Sequence, residues 1–226
     1  MAFLFILEAV MSDIIIRQLE LGPLQANAYL VYRQDRDDCF IVDPGDDFEG
    51  AERAIAVSGR RLTDILLTHG HFDHILAAAP LKEKHGVRIH IHPYDSHMLK
   101  AAGASLYNPS WCRLPFVSVE ADAPYPVGDE NWEMDVCGVR FTGFRTPGHT
   151  PGSVCLLDEE HKAIFTGDTL FANSYGRTDF PGGSDDEMRA SLTRLLHMDR
   201  GLTVYSGHGE ADGMAAIARR WRIQED

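Results

Sequence analysis

The chain has 226 residues, 44% hydrophobic and 24% charged, a composition that fits one large soluble domain and excludes global disorder. Its 21 basic and 34 acidic side chains leave a formal charge of −13 with no cluster of five or more lysines and arginines, so no nucleic-acid partner is expected. No stretch reaches the length of a membrane span, and four cysteines (Cys39, Cys112, Cys137, Cys155) without a CxxC pair read as separate buried thiols of a cytoplasmic protein.

In chain order, Met1–Val10 is apolar but short, carries Glu8 and lacks a basic start. It reads as an extension before a domain beginning at Met11, or as an extra edge strand, and not as a signal peptide. Strands follow at Ile14–Leu19, Ala28–Tyr32 and Cys39–Val42, the last stopped by Asp43-Pro44-Gly45. Glu49–Ser58 predicts a helix capped by Gly59, and Ile65–Leu67 a buried strand running into Thr68–His74. Ile75–His85 predicts a helix ended by Gly86, with a strand at Val87–Ile91. Ala101–Pro126 carries prolines and aromatics without a period; a loop over a pocket and a plain connection both stay open. Strands resume at Trp132–Val136, Val139–Phe144, Ser153–Leu157 and Ala163–Thr166, then a helix at Asp185–His197, a strand at Thr203–Ser206 and a helix at Gly213–Trp221. Two successive halves of strands followed by helices predict a layered α+β sandwich, helices outside two central sheets, in a single domain over 11–226.

The strongest chemical signal is Thr68-His69-Gly70-His71-Phe72-Asp73-His74, three histidines and an aspartate directly after a buried strand. Imidazole nitrogens and carboxylate oxygens are donors that zinc takes. Two apart on an extended backbone, His69 and His71 point the same way and can hold one ion. Asp73 and His74, on the turn into the next helix, face a second position. Further along, His149 lies in a loop with two prolines and two glycines (146–153), Asp168 follows the strand ending at Thr166, and His208 follows the strand ending at Ser206. Each sits beside glycine just past a strand, where side chains from separate strands converge. A dinuclear site needs about seven protein ligands with one bridging carboxylate, and its open positions would hold a bridging hydroxide. The remaining histidines, His85, His90, His92, His97, His161 and His197, read as structural or surface residues; His90 and His92 repeat the His-x-His spacing without a nearby carboxylate in the sequence.

At these residues the chain resembles the metallo-β-lactamase-fold hydrolase superfamily, from Met11 onward. The resemblance implies an αββα four-layer sandwich with the site at one sheet edge. It implies a first metal on His69, His71 and His149, a second on Asp73, His74 and His208, and Asp168 bridging them. The expected cofactors are two zinc ions, with iron or manganese as alternatives. An aspartate at position 168 is unlike most true β-lactamases of the fold and similar to its thioesterase and lactonase branches. Gly167-Asp168-Thr169-Leu170-Phe171 and Gly176-Arg177-Thr178-Asp179-Phe180 resemble the glyoxalase II group (hydroxyacylglutathione hydrolases), especially its shorter bacterial members. That implies hydrolysis of a small-molecule thioester of the S-lactoylglutathione type, with Asp73 orienting the hydroxide. Arg177 would contact the thiol carrier, and Tyr175 could add a hydrogen bond; pairing of Arg177 with Asp179 and plain packing of Tyr175 are the alternatives.

Departures from the group count as well. Only 18 residues follow His208, so the helical domain of longer glyoxalase II enzymes has no counterpart, and Gly209-Glu210-Ala211 lacks the group's aromatic contact. The Gly-Arg-Thr-Asp-Phe run is also similar to persulfide dioxygenases, which implies one iron on His69, His149 and Asp168 as the runner-up, with a lactonase as a further hydrolase alternative. A nuclease is disfavoured by the charge, and a non-catalytic metabolite sensor by the intact ligand set. Monomer and homodimer both stay open.

Overall fold

Apolar strands in this chain are buried on both faces, which is why they read as near-continuous hydrophobic runs. The computed structural model describes residues 6–11, 13–128 and 130–222. The first half builds a six-stranded sheet in chain order, from β1 (Ile6–Met11), β2 (Ile14–Leu21), β3 (Ala26–Arg33), β4 (Asp38–Val42), β5 (Arg61–Leu66) and β6 (Arg88–His90). The second half builds another, from β7 (Trp132–Val136), β8 (Val139–Arg145), β9 (Val154–Asp158), β10 (Ala163–Gly167), β11 (Thr203–Ser206) and β12 (Asp212–Gly213). Pairing is antiparallel except β4 with β5, β5 with β6, and β10 with β11.

Alternation along the strands sorts the core into three layers. Ile14, Ile16, Tyr29, Val31 and Phe40 of the first sheet meet Phe141, Leu156, Phe165 and Tyr205 of the second. Ile15, Leu30 and Ile41 point the other way, against helices α1 (Phe48–Ser58) and α3 (Ala78–His85) through Ala54, Ile55 and Leu81. On the far side, Phe144, Ile164 and Val204 pack on α4 (Asp185–Leu196) and α5 (Met214–Arg220) through Leu192, Leu195 and Ile217. Helices therefore cover both outer faces of two stacked sheets, the αββα sandwich that the resemblance implies. Among the described residues no helix is long and apolar enough to cross a membrane.

The expected helix at Ile75–His85 is in fact two. A short α2 (Phe72–Ile75) starts inside the histidine-rich loop, and α3 begins afresh at Ala78. The break follows from the Ala77 N–H, which is taken by the carbonyls of Pro44 (3.1 Å) and Gly45 (3.0 Å) instead of the preceding turn. Gly59 and Gly86 both end their helices in the left-handed conformation. Cys39, Cys137 and Cys155 are buried thiols, but Cys112 is only half-buried, because it lies in a loop outside the sheets.

His161, in the β9–β10 turn, is clamped between Asp158 (Nδ1 to Oδ2, 2.7 Å) and Asp13 (Nε2 to Oδ1, 2.9 Å). Burial alone would lower its pKa, yet hydrogen bonds to the two carboxylates raise it above the ordinary imidazole value. A raised folded pKa means that this clamp stabilises fully below about pH 6.5 and fades as the pH climbs through the folded value. His161→Gln is expected to lose about 1–3 kcal/mol in urea unfolding near pH 5.5. The gap to the wild-type protein should shrink by about pH 9; a gap independent of pH would refute the clamp.

Candidate metal centre

The centre begins with Asp43, the residue after β4, held at φ 48°. Its carboxylate accepts the Thr68 N–H (2.7 Å) and the Thr68 hydroxyl (2.6 Å), tying the end of β4 to the loop that leaves β5. With its proton given to Asp43, Thr68 Oγ1 accepts from His69 Nδ1 at 3.1 Å. The lone pair of His69 is then on Nε2, a buried atom with no hydrogen-bond partner. His74 is set the same way, Nδ1 donating to Asp43 at 3.2 Å and Nε2 left buried without a partner. His149 Nδ1 donates to the Arg177 carbonyl at 2.6 Å, which turns its Nε2 toward His71 Nδ1, 2.8 Å away. Three rings are thus locked by their outer nitrogen so that the inner one points into the cluster, the arrangement metal-ligating histidines show.

Besides Asp43 with His69 and His74, whose donor atoms also lie within 4.8 Å of one another, the donor atoms fall into two groups. Those of His69, His71 and His149 lie within 4.8 Å of one another, and so do those of Asp73, His74 and His208. Asp168 stands between them, with Oδ2 at 3.4 Å from His149 Nε2 and 3.7 Å from His208 Nε2, and Oδ1 at 3.5 Å from His74 Nε2. All seven residues singled out in the sequence are therefore brought together. The neighbouring glycines are needed for this approach. A Cβ on Gly207 would sit 2.1 Å from Asp168 Oδ1, and one on Gly45 would sit 2.3 Å from the Asp73 carbonyl.

Electrostatics favour a cation here. Burial drives His69 far below the ordinary imidazole pKa and His71 to about 3, so both rings are neutral. His74 goes the other way: burial would lower it, but Asp73, Asp168 and Asp43 raise it to about 10. Burial would raise Asp73, but His74 and His208 hold it well below the usual carboxylate range. Asp168 Oδ1, like the two Nε2 atoms, is buried without a hydrogen bond. Each such orphan costs about 1–3 kcal/mol. Three imidazoles for one ion, and two imidazoles with a carboxylate for another, form a nitrogen–oxygen donor set that suits zinc, iron or manganese.

The centre floors a cavity of about 1130 Å³. One part of its lining is Leu106–Cys112, so the unpatterned stretch after Ala101 supplies pocket wall and not merely a connection. Tyr175 and Arg177 line it too. The Arg177 side chain is nevertheless engaged, 2.6 Å from Asp179 and 4.4 Å from the Phe180 ring centre, while Tyr175 packs 5.9 Å from Trp221. None of the six other histidines lines the cavity. His90 does have a carboxylate nearby, contrary to expectation: Asp64, one strand over, lies 2.7 Å from its Nε2.

Two supporting residues escaped the sequence reading. Asp43 registered only as a turn residue. Asp95, fully buried, accepts the Gly70 N–H (3.1 Å), the Thr150 hydroxyl (2.6 Å) and the Gly152 N–H (2.8 Å), and so fastens the His69–His71 loop to the His149 loop. No local pattern marks it.

A sequence profile described as the Metallo-beta-lactamase superfamily matches residues 21–208. The chain is 34% identical over 194 residues to the probable metallo-hydrolase YqgX of Bacillus subtilis (strain 168), covering 85% of this chain and 89% of the relative. It is 32% identical over 188 residues to the hydroxyacylglutathione hydrolase GloC of Haemophilus influenzae, covering 82% and 86%. Among solved structures it resembles the B3 metallo-β-lactamase BLEG-1, with a TM-score of 0.81 at 31% identity over 89% of this chain and 95% of that one. TTHA1623 in a di-iron-bound form gives a TM-score of 0.76 at 35% identity, covering 90% and 97%. ETHE1 from Myxococcus xanthus gives 0.72 at 26%, covering 91% and 82%.

Removing the Asp95 acceptor strands three buried donors. Asp95→Ala is expected to lose about 2–4 kcal/mol of stability in chemical denaturation and to weaken zinc binding in calorimetric titration. Unchanged zinc affinity in a folded variant would show that the two loops hold together without it.

Proposed function

The chain belongs to the metallo-β-lactamase superfamily and is a metal-dependent hydrolase of it, and from that premise we propose that it cleaves a thioester of the S-lactoylglutathione type. The observation that supports this reading most is the pair of three-residue donor groups with Asp168 between them, on the floor of an open pocket. His69, His71 and His149 would hold one ion, Asp73, His74 and His208 the other, and Asp168 both, with zinc as the metal that suits the donors. When bound, two such cations would lower the pKa of a water and polarise a substrate carbonyl.

The chain's own residues do the rest. Asp73, which lines the pocket, accepts a hydrogen bond from the attacking water and aims it at the carbonyl carbon. The Asp43 and Arg177 contacts keep His74 and His149 in the tautomer whose inner nitrogen faces the site. A thiolate leaves readily, so no strong general acid is needed, and Tyr175, which lines the pocket, would add a hydrogen bond to the substrate. The runner-up, one iron on His69, His149 and Asp168 for persulfide oxidation, leaves His71, Asp73, His74 and His208 without a task.

Freshly purified protein is expected to carry about two metal ions per chain by elemental analysis and to hydrolyse S-D-lactoylglutathione. A single iron with oxygen uptake on a persulfide would establish the dioxygenase instead, and cleavage of cyclic esters in preference to thioesters would make it a lactonase. His71→Ala should lose one ion and lower kcat/KM more than about a hundredfold while its circular dichroism stays unchanged. Near-normal turnover in that variant would refute the dinuclear scheme.

A further inference from the structure

The pocket wall indicates more about the substrate than the reacting bond. Among the described residues, seven large apolar side chains are exposed: Leu24, Val57, Tyr94, Trp111, Val117, Val127 and Tyr175. Three of these, Leu24 (45% exposed), Trp111 (58%) and Tyr175 (47%), come from separate stretches of chain and line the same cavity. Phe171 and Phe180 add aromatic surface to it. Exposed apolar groups scattered singly need no explanation, but a cluster at the mouth of a cavity marks a binding surface.

The wall is also built. Asp46 accepts the N–H groups of Arg113 (2.6 Å) and Leu114 (2.7 Å), and the Ser105 carbonyl accepts the Phe72 N–H (2.9 Å). The loop carrying Trp111 is therefore pinned on both sides, and Tyr107 closes it by donating to the Leu114 carbonyl at 3.2 Å.

Charge is scarce along this wall. Apart from the proposed metal ligands, the one charged lining residue is Arg177, and its guanidinium is already paired with Asp179 at 2.8 and 2.6 Å. A carrier bearing two carboxylates and an ammonium group finds no free counter-charge there, in a protein of net charge −13. An uncharged apolar arm would instead cover Trp111, Leu24 and Tyr175 without giving up hydration of its own.

We propose that the pocket prefers substrates with one bulky, uncharged apolar arm, aryl or medium-chain alkyl, over those built on a charged peptide-like thiol. This rests on the thioesterase reading for the reacting carbonyl alone and revises its thiol arm: S-D-lactoylglutathione is then a slow substrate and not the preferred one. The test compares kcat/KM for acetyl, hexanoyl and phenylacetyl thioesters of N-acetylcysteamine with that for S-D-lactoylglutathione. The hexanoyl and phenylacetyl esters are expected to exceed both others by about tenfold or more, the scale on which a few buried carbons discriminate. Trp111→Ala, at an exposed position the core does not need, should lower the phenylacetyl-to-acetyl ratio at least about threefold. Equal rates along the acyl series, or a clear advantage for S-D-lactoylglutathione, overturns the proposal. If no thioester is cleaved, the thioesterase reading falls separately, and binding decides the rest. The inert S-phenethyl thioether of N-acetylcysteamine should still quench tryptophan fluorescence in the wild type and not in Trp111→Ala. Absence of that quenching also overturns the proposal.

Discussion

Asp43 is the joint on which the centre hangs. One carboxylate binds Thr68 through both its N–H and its hydroxyl, and binds His74 through Nδ1. By way of Thr68 it also fixes the ring of His69. A single buried acid thereby orients a ligand of each donor group, and its charge is offset by three donated hydrogen bonds instead of by solvent. The residue adopts φ 48°, a conformation disfavoured for a side chain with a Cβ, and the three bonds compensate for that strain.

Topology explains why the remaining ligands arrive at the same place. Parallel neighbours end at the same sheet edge, and the parallel pairs sit where ligands are needed. β4 beside β5 brings Asp43 against the histidine-rich loop; β10 beside β11 brings Asp168 against His208, with Gly167 in register with Ser206. The two sheets are then stitched across this edge. Asn27 Nδ2 donates to the carbonyls of Ser206 (2.9 Å) and Gly209 (2.7 Å), and the Tyr29 hydroxyl to Ser206 at 2.6 Å. Small residues at the edge let the backbones close in, and the acids and imidazoles that result are too crowded to be neutralised by water.

The fold was largely legible in the sequence, because strands buried on both faces leave long apolar runs and because glycines punctuate the helices. The ligands were legible because four of them crowd into one short loop, which made the distant His149, Asp168 and His208 meaningful. What escaped notice depends on pairings through space. Asp95 is 55 residues from Thr150, and Asp64 is 26 from His90, with nothing local to announce either. The break before α3 likewise comes from carbonyls of Pro44 and Gly45, distant along the chain from the helix they interrupt. The stretch from Ala101 to Pro126 has no period because it is shaped by anchors such as Asp46, not by its own repeat.

The contact between His149 and position 177 runs through a main-chain carbonyl, and the Arg177 side chain takes no part in it. The segment therefore has a division of labour: its backbone serves the ligand shell, while its side chains face the cavity. Point replacements at 175 or 177 can drift through many chemistries without disturbing the histidine behind them, so substrate range can wander cheaply. A change in loop length between 176 and 183 is another matter, since it would shift the carbonyl itself. Substitution is open at 175 and 177 but not at Gly176 between them, where a Cβ would meet the Asp168 carbonyl at 2.0 Å.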